Sequence, residues 1–321
     1  MRRAPEFWRR SGVTARLLAP AAALYGDIAR YRLRRSAPRA DLPTIIVGGL
    51  TSGGDGKTPL VMALATRLIA LGARPALLTR GYGRRAQDDA PVLVDPARHK
   101  ARDVGDEALL LARVAPTIVC ANRVASARLA GDIGASVLVL DDGFHSRALA
   151  PDLTLLAIDA DYGAGNGSCL PAGPLRAPLD AQLAMADALV MIGDGSALAP
   201  CFDKTVMHAR VTPDPTVAAA LAGARVVAIA GVARPEKFFR LLHDIGAKVI
   251  ATRAFPDHHL FTPSDIAQLQ ALAQTHDARL LTTEKDAMRL EAAENLPVSL
   301  QFEDIPAIDA LLANVLTRRA R

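Results

Sequence analysis

Twelve residues between two apolar runs carry the plainest chemical signal: Gly48-Gly49-Leu50-Thr51-Ser52-Gly53-Gly54-Asp55-Gly56-Lys57-Thr58-Pro59. Glycines let successive backbone N–H groups curl around an anion, and a helix that starts just after them adds its dipole and free donors. In such a loop Lys57 would reach the β- and γ-phosphates of a nucleotide, and the Thr58 hydroxyl would face Mg²⁺. Thr51, Ser52, Gly53, Gly54, Asp55, Gly56, Lys57 and Thr58 are therefore the nucleotide-binding candidates. The strict phosphate-loop pattern G-x-x-x-x-G-K-[ST] has Thr51 in its first glycine place, while its core, Gly54 to Thr58, is intact.

A second signal is the run Ser136–Leu140, which ends in Asp141-Asp142-Gly143. Carboxylates at the C-terminal end of a buried strand can hold Mg²⁺, and the same pair can merely cap a turn. Arg80, in Leu77–Arg85, follows another short apolar run. Glycines and arginines at a strand end suit an anionic ligand, and equally a solvated basic loop. Asp106 and Glu107 open a helical stretch after Gly105, where acids commonly serve the helix dipole. Residues 165–176 are rich in Gly and Pro and read as a rigid loop. Phe255-Pro256-Asp257-His258-His259 sets two histidines beside a carboxylate, but no further ligands at zinc spacing accompany them. Thr282–Asp286 superficially resembles the guanine-reading motif of GTPases, but Lys285 and Asp286 are adjacent where that motif needs one residue between them, which favours ATP over GTP.

These residues need a scaffold. Short β-rich runs fall near 44–47, 75–79, 117–120, 136–140 and 153–158, alternating with helical stretches near 58–71, 105–114 and 122–132. That alternation implies a parallel α/β sheet of P-loop type flanked by helices. A second, smaller α/β domain follows: strand 225–230, helix 235–244, strand 247–251, helix 263–275, strand 279–282, helix 284–291. The expected division is 1–40 as an N-terminal helix, 41–200 as the nucleotide-binding domain, 201–216 as a Pro-rich linker and 217–321 as the C-terminal domain.

Residues 5–35 read as one long amphipathic helix whose apolar stripe includes Trp8, Leu17, Leu24 and Ile28. Its apolar run is about twelve residues and contains Arg16, short of the about twenty that span a bilayer. A basic helix of this kind can lie in an anionic headgroup layer or pack on the protein body. Charge supports a specialised arm. The 321-residue chain carries a net +5, yet residues 1–40 hold ten arginines against Glu6 and Asp27, a net +8 that leaves −3 for the rest. The basicity thus belongs to the arm, which argues against nucleic acid as a partner of the body. Three separated cysteines, Cys120, Cys169 and Cys201, show neither metal spacing nor an even count for disulfides.

Taken in order, Gly48–Pro59, Arg80–Arg84, Gly105–Ala112, Leu140–Phe144, Gly165–Arg176, Ala230–Phe239, Phe255–His258 and Thr282–Leu290 resemble the tetraacyldisaccharide 4′-kinases, the lipid A 4′-kinase family of Gram-negative bacteria. The resemblance implies transfer of the γ-phosphate of ATP, with Mg²⁺, to the 4′-hydroxyl of a tetraacyldisaccharide 1-phosphate, giving lipid IVA. It implies a peripheral position at the cytoplasmic face of the inner membrane, through the N-terminal helix, with no obligate protein partner. It assigns Lys57 and Thr58 to phosphate and Mg²⁺, and Asp141, Asp142 and Glu107 to the metal site. Asp106 becomes the catalytic base, paired with His258, and Arg123 and Arg176 become contacts to phosphates or lipid, beside Arg80, the substrate-binding candidate of its own strand-end loop. A soluble P-loop kinase of a small acceptor and a membrane-docked nucleotide switch are the alternatives. The chain departs from the family pattern in three places: Asp55 where Thr is usual, His145-Ser146 where Gln-His is usual, and Ala177 where an acid is usual.

Overall fold

The computed structural model describes residues 5–84, 90–195 and 202–318. Arg2, Arg3, Arg85 and Cys201 lie outside the described residues. The chain runs α1 (Val13–Leu33), β1 (Thr44–Gly49), α2 (Lys57–Ala70), β2 (Pro75–Thr79), β3 (Val92–Leu93), α3 (Ala101–Val104), α4 (Asp106–Leu111), β4 (Thr117–Val119), α5 (Arg123–Asp132), β5 (Val137–Asp141) and β6 (Leu153–Asp159). It continues with α6 (Leu179–Met185), β7 (Ala188–Ile192), β8 (Thr205–Pro213), α7 (Pro215–Leu221), β9 (Arg225–Ala230), α8 (Pro235–Asp244) and β10 (Lys248–Ala254). It ends with α9 (Pro263–Thr275), β11 (Arg279–Thr283), α10 (Glu284–Ala287), β12 (Glu294–Leu296), β13 (Val298–Phe302) and α11 (Ile305–Arg318).

Nine strands form the larger sheet in the order β13-β8-β7-β6-β1-β5-β2-β4-β3. The seven inner strands pair in parallel, and only the edge strands β13 and β3 are antiparallel. Alternation along each inner strand sorts its side chains. Ile45, Val47, Val137 and Val139 face one layer with Leu60, Leu64 and Leu68 of α2 and Ile308 and Leu312 of α11. Ile46, Leu138, Leu140 and Leu156 face the other layer, which Leu33 of α1 joins. Burial on both faces is why these strands read as unbroken apolar runs. Each fully buried leucine contributes about 1.5–3 kcal/mol of burial free energy. The smaller sheet is parallel throughout, in the order β10-β9-β11-β12. In the larger sheet the chain leaves β1 toward β2 on one side, while it leaves the neighbouring β6 toward β7 on the other. Such a switch point opens a crevice beyond the strand ends, where ligands bind in α/β sheets.

Five sequence expectations change. The helix expected over 5–35 is a 3₁₀ turn, Glu6–Trp8, followed by α1 from Val13, because the extended Gly12 breaks the run. The helix expected over 105–114 starts at Asp106 and ends at Leu111; Gly105, whose φ of 92° is outside helical geometry, separates it from α3. The helix expected over 284–291 ends at Ala287. The stretch 201–216, read as a linker, supplies β8 and the start of α7; β8 pairs with β7 and β13 inside the larger sheet. After the second unit the chain returns, so β13 and α11 complete the first layer rather than the second.

Candidate active site

The phosphate loop joins β1 to α2. Gly53, Gly54 and Gly56 have φ of 94°, 78° and 84°, a region that side chains with a Cβ rarely adopt. The Gly- and Pro-rich loop 165–176 braces it. Ser52 N–H donates to the Pro174 carbonyl at 2.9 Å, Arg176 N–H donates to that of Leu50 at 3.2 Å, and Thr51 bridges to Leu175. Lys57 opens α2, and its Nζ lies 4.0 Å from Asp142 Oδ1. The Thr58 hydroxyl donates to Asp141 Oδ2 at 3.4 Å.

The two aspartates at the end of β5 are held differently. Asp142 sits at φ 54°, and its carboxylate pairs with Arg176 as well as Lys57. Burial opposes its charge, but Lys57 and Arg176 overcome that and hold it well below the usual carboxylate range. Asp141 is buried, and its Oδ1 has no hydrogen-bond partner. Burial first, then Glu107 and Asp142, push its carboxyl up to about 7, against Lys57 and Arg123. A buried carboxylate with a free oxygen beside other carboxylates is a group that a cation would satisfy. Among the described residues no cluster of three or more His, Cys, Asp or Glu is arranged as a metal cage. Mg²⁺ fits that pattern, because it binds through one or two carboxylates, waters and substrate phosphates. Asp141 and Thr58 are the groups placed for it. Glu107, the third expected acid, is engaged by Lys285 Nζ at 2.9 Å.

Asp106 and His258 come together. His258 Nδ1 lies 3.1 Å from each Asp106 carboxylate oxygen, and Tyr82 packs on the imidazole with ring centroids 4.7 Å apart. Lys285 Nζ reaches His258 Nε2 at 3.3 Å and Asp257 Oδ1 at 3.3 Å. An ammonium only donates, so Nε2 accepts, and Nδ1 carries the proton that it donates to Asp106. Burial raises the Asp106 pKa, yet the His258 hydrogen bond, Lys285 and Arg289 outweigh it and leave the carboxyl below its ordinary value. Arg289 Nε lies 3.1 Å from Asp106 Oδ2.

Of the three candidate substrate arginines, Arg176 is tied to Asp142 and Arg80 is exposed at the end of β2. Arg123 is buried. Its Nη1 donates to the Cys120 carbonyl at 3.1 Å, while Nε and Nη2 have no hydrogen-bond partner. Burial, then Arg80, lowers its pKa to about 10, against the pull of Asp141 and Asp142. An anion would satisfy those two nitrogens.

The departures from the family pattern gain physical meaning. Asp55 turns back into its own loop, accepting from Thr51 N–H at 2.7 Å and from the Thr51 hydroxyl. His145 Nε2 lies 2.9 Å from Gln182 Oε1, and burial, then Arg176, lowers its pKa to about 3, so it stays neutral. Ala177 is fully buried, leaving no room for an exposed acid there. Sequence reasoning missed Arg234, Asp159 and Arg289, and it took Lys285 only as a broken GTPase motif. Asp159 closes β6 and Lys285 follows β11 by two residues, and that position was the available signal; Arg234 precedes α8 and Arg289 follows α10.

Lys57, Thr58, Glu107, Asp257 and Lys285 line one cleft between the two sheets, of about 910 Å³. A phosphate loop on a switch-point strand, a Mg²⁺-compatible aspartate at the next strand end and a carboxylate–histidine pair across a cleft define a P-loop phosphotransferase. Residues 14–317 match the family described as tetraacyldisaccharide-1-P 4′-kinase, and the chain belongs to that family. It is 47% identical to the tetraacyldisaccharide 4′-kinase of Nitrobacter winogradskyi, covering 99% of each chain. It is 48% identical to that of Methylobacterium nodulans, over 94% of this chain and 92% of the other. Among solved structures it is similar to LpxK from Aquifex aeolicus in complex with ATP, with a TM-score of 0.74 and 26% identity over 94% of this chain and 99% of that one.

Proposed function

We propose that this chain transfers the γ-phosphate of ATP to the 4′-hydroxyl of a tetraacyldisaccharide 1-phosphate. The observation that carries the reading is the shared cleft: the phosphate-binding Lys57 and Thr58 and the Asp257–Lys285 side of the Asp106–His258 pair open onto the same space.

The triphosphate lies in the loop Thr51–Thr58, with Lys57 on its terminal phosphates. Thr58 and Asp141 would hold Mg²⁺, which when bound neutralises charge developing on the phosphates. Asp106 accepts the proton of the attacking hydroxyl, and His258 orients that carboxylate through Nδ1–H. Arg123, with two unsatisfied nitrogens, serves an anionic group of either substrate, and Arg176 keeps Asp142 in place. Arg80, at the exposed end of β2, is available to the lipid phosphate. Most of the acceleration comes from positioning and charge neutralisation.

We place the enzyme peripherally at the cytoplasmic face of the inner membrane. No helix among the described residues is long and apolar enough to cross a bilayer. On α1, Ala15, Ala22, Gly26 and Leu33 are buried against the body, whereas Val13, Leu17, Leu24, Ile28 and Tyr31 are exposed. At about 100° per residue these exposed side chains form one stripe opposite the buried one. An outward apolar stripe flanked by arginines suits an anionic headgroup layer.

The test is incubation of the protein with labelled ATP, Mg²⁺ and tetraacyldisaccharide 1-phosphate in detergent. Label appears in the lipid, and Lys57→Ala abolishes it. Hydrolysis of ATP without labelled lipid would instead support a nucleotide switch.

A further inference from the structure

The chain beyond β9 carries Arg234 out of the second unit and onto the phosphate loop of the first. Its Nη1 donates to the Gly54 carbonyl at 3.2 Å and to Asp159 at the end of β6. Its Nη2 donates to Thr51 Oγ1 at 3.0 Å and to Asp55 Oδ1 at 3.3 Å. The guanidinium carbon stands 3.8 Å from the centroid of the Tyr162 ring. Lys237 of α8 adds an ion pair to Asp159 at 2.7 Å. The side chains of Arg234, Asp55 and Asp159 are 9%, 1% and 1% exposed. Two carboxylates and two cations thus close a neutral cluster across the boundary between the units.

Asp55 stands inside a loop whose ligand is a polyanion. An uncompensated carboxylate there would repel phosphates at short range, where little water screens it. Its own loop supplies only neutral donors from Thr51. The cation that faces it is Arg234, whose planar fork reaches acceptors on both sides at once, a geometry that lysine lacks, while Lys237 shares the charge of Asp159. The fit is close: a Cβ on Gly54 would fall 2.9 Å from Arg234 Cδ.

We propose that Arg234 is a positioning residue for phosphoryl transfer. From the second unit it neutralises Asp55 and holds the phosphate loop in its ligand-ready shape, so that docking of the two units and binding of nucleotide are coupled. The proposal rests on the reading of Thr51–Thr58 as an ATP site.

The experiment measures ATP affinity by titration with a fluorescent ATP analogue, and KM for ATP and kcat, in the full chain and in R234M, R234K, D55T and D55T/R234M. R234M weakens ATP binding about tenfold or more, because it leaves a buried charge unpaired. R234K recovers only part of the loss. D55T/R234M returns to within about threefold of the parent, since the charge needing compensation is gone and the introduced hydroxyl can still accept from Thr51; this is the coupling expected of groups in direct contact. A merely structural Arg234 would leave the double variant as weak as R234M. That result, or an R234M that binds ATP as the parent does, overturns the proposal. Should R234M not fold, the double variant decides alone: affinity near the parent supports the proposal, and a loss of about tenfold overturns it. Failure of the parent chain to bind ATP would instead remove the ATP-site reading, which keeps the two failures distinct.

Discussion

His258 Nδ1 lies 3.1 Å from both carboxylate oxygens of Asp106, although 152 residues separate the two in the chain. Asp106 begins α4 of the larger unit, and His258 follows β10 of the smaller one at φ 60°, a backbone conformation that costs energy outside glycine. The Asp106–His258 pair is therefore assembled only when the units meet.

The first prediction concerns that pair. Asp106→Ala lowers kcat for lipid phosphorylation by about 10²–10⁴-fold while ATP still binds, as expected for loss of a general base. Because the Asp106 carboxyl is held below its ordinary value, it stays ionised into mildly acidic solution. The pairing stabilises the fold above the ordinary carboxylate range, and this contribution is lost as pH falls through the lowered folded value. Near-parental turnover in Asp106→Ala would take the residue out of the mechanism.

Asp141 has the opposite sign. Its carboxyl is pushed up to about 7 in the cation-free protein, so the folded state holds a proton that the unfolded chain releases near pH 4. Stability of the metal-free protein therefore falls as pH rises from about 4 to about 7, and Mg²⁺ with ATP offsets the loss most at the upper end. Thermal melts across this range, with Asp141→Asn as the control, test it. The variant should lose both the slope and most of the response to Mg²⁺.

Arg123→Met separates ligand binding from stability. Two nitrogens of this buried guanidinium lack hydrogen-bond partners, and burial outweighs the pull of Asp141 and Asp142, so its removal takes away an incompletely satisfied charge. The melting temperature without ligand stays level or rises, while affinity for the anionic substrate that it serves falls by about tenfold or more. A large drop in melting temperature with unchanged affinities would assign Arg123 to the fold alone.

The exposed stripe of α1 predicts a separable membrane function. Leu17 and Leu24 are 77% and 64% exposed and face away from the body, so Leu17→Glu/Leu24→Glu should leave folding intact. Co-sedimentation with anionic vesicles should fall by about tenfold or more, while phosphorylation of detergent-dispersed lipid remains. Equal loss in detergent and vesicles would place the stripe in the catalytic body instead.

Much of the scaffold was legible because its signals are local. The strands β2 and β9 and the helices α8 and α9 fall where apolar runs and their Pro boundaries place them. Thr262, Pro263 and Asp265 even announce the start of α9 through a capping box. The phosphate loop was legible for the same reason, since its glycines, Lys57 and Thr58 act within one turn of chain. The strand β8 escaped notice because near the edge of a sheet it mixes exposed and half-buried residues and borders prolines. The break at Gly12 escaped because the apolar spacing runs across it.

Local residue order by itself determined the β1–loop–α2 phosphate cradle, the Asp141-Asp142 strand end and the alternation that makes a parallel sheet, since each depends on neighbours a few positions away. Tertiary structure alone decided that β13 and α11 return to the first sheet, that Lys285 engages Glu107, and that Arg234 meets Asp55 across 179 residues. Those contacts rest on how two packed units meet, and charges so far apart in sequence carry no spacing from which their meeting can be read.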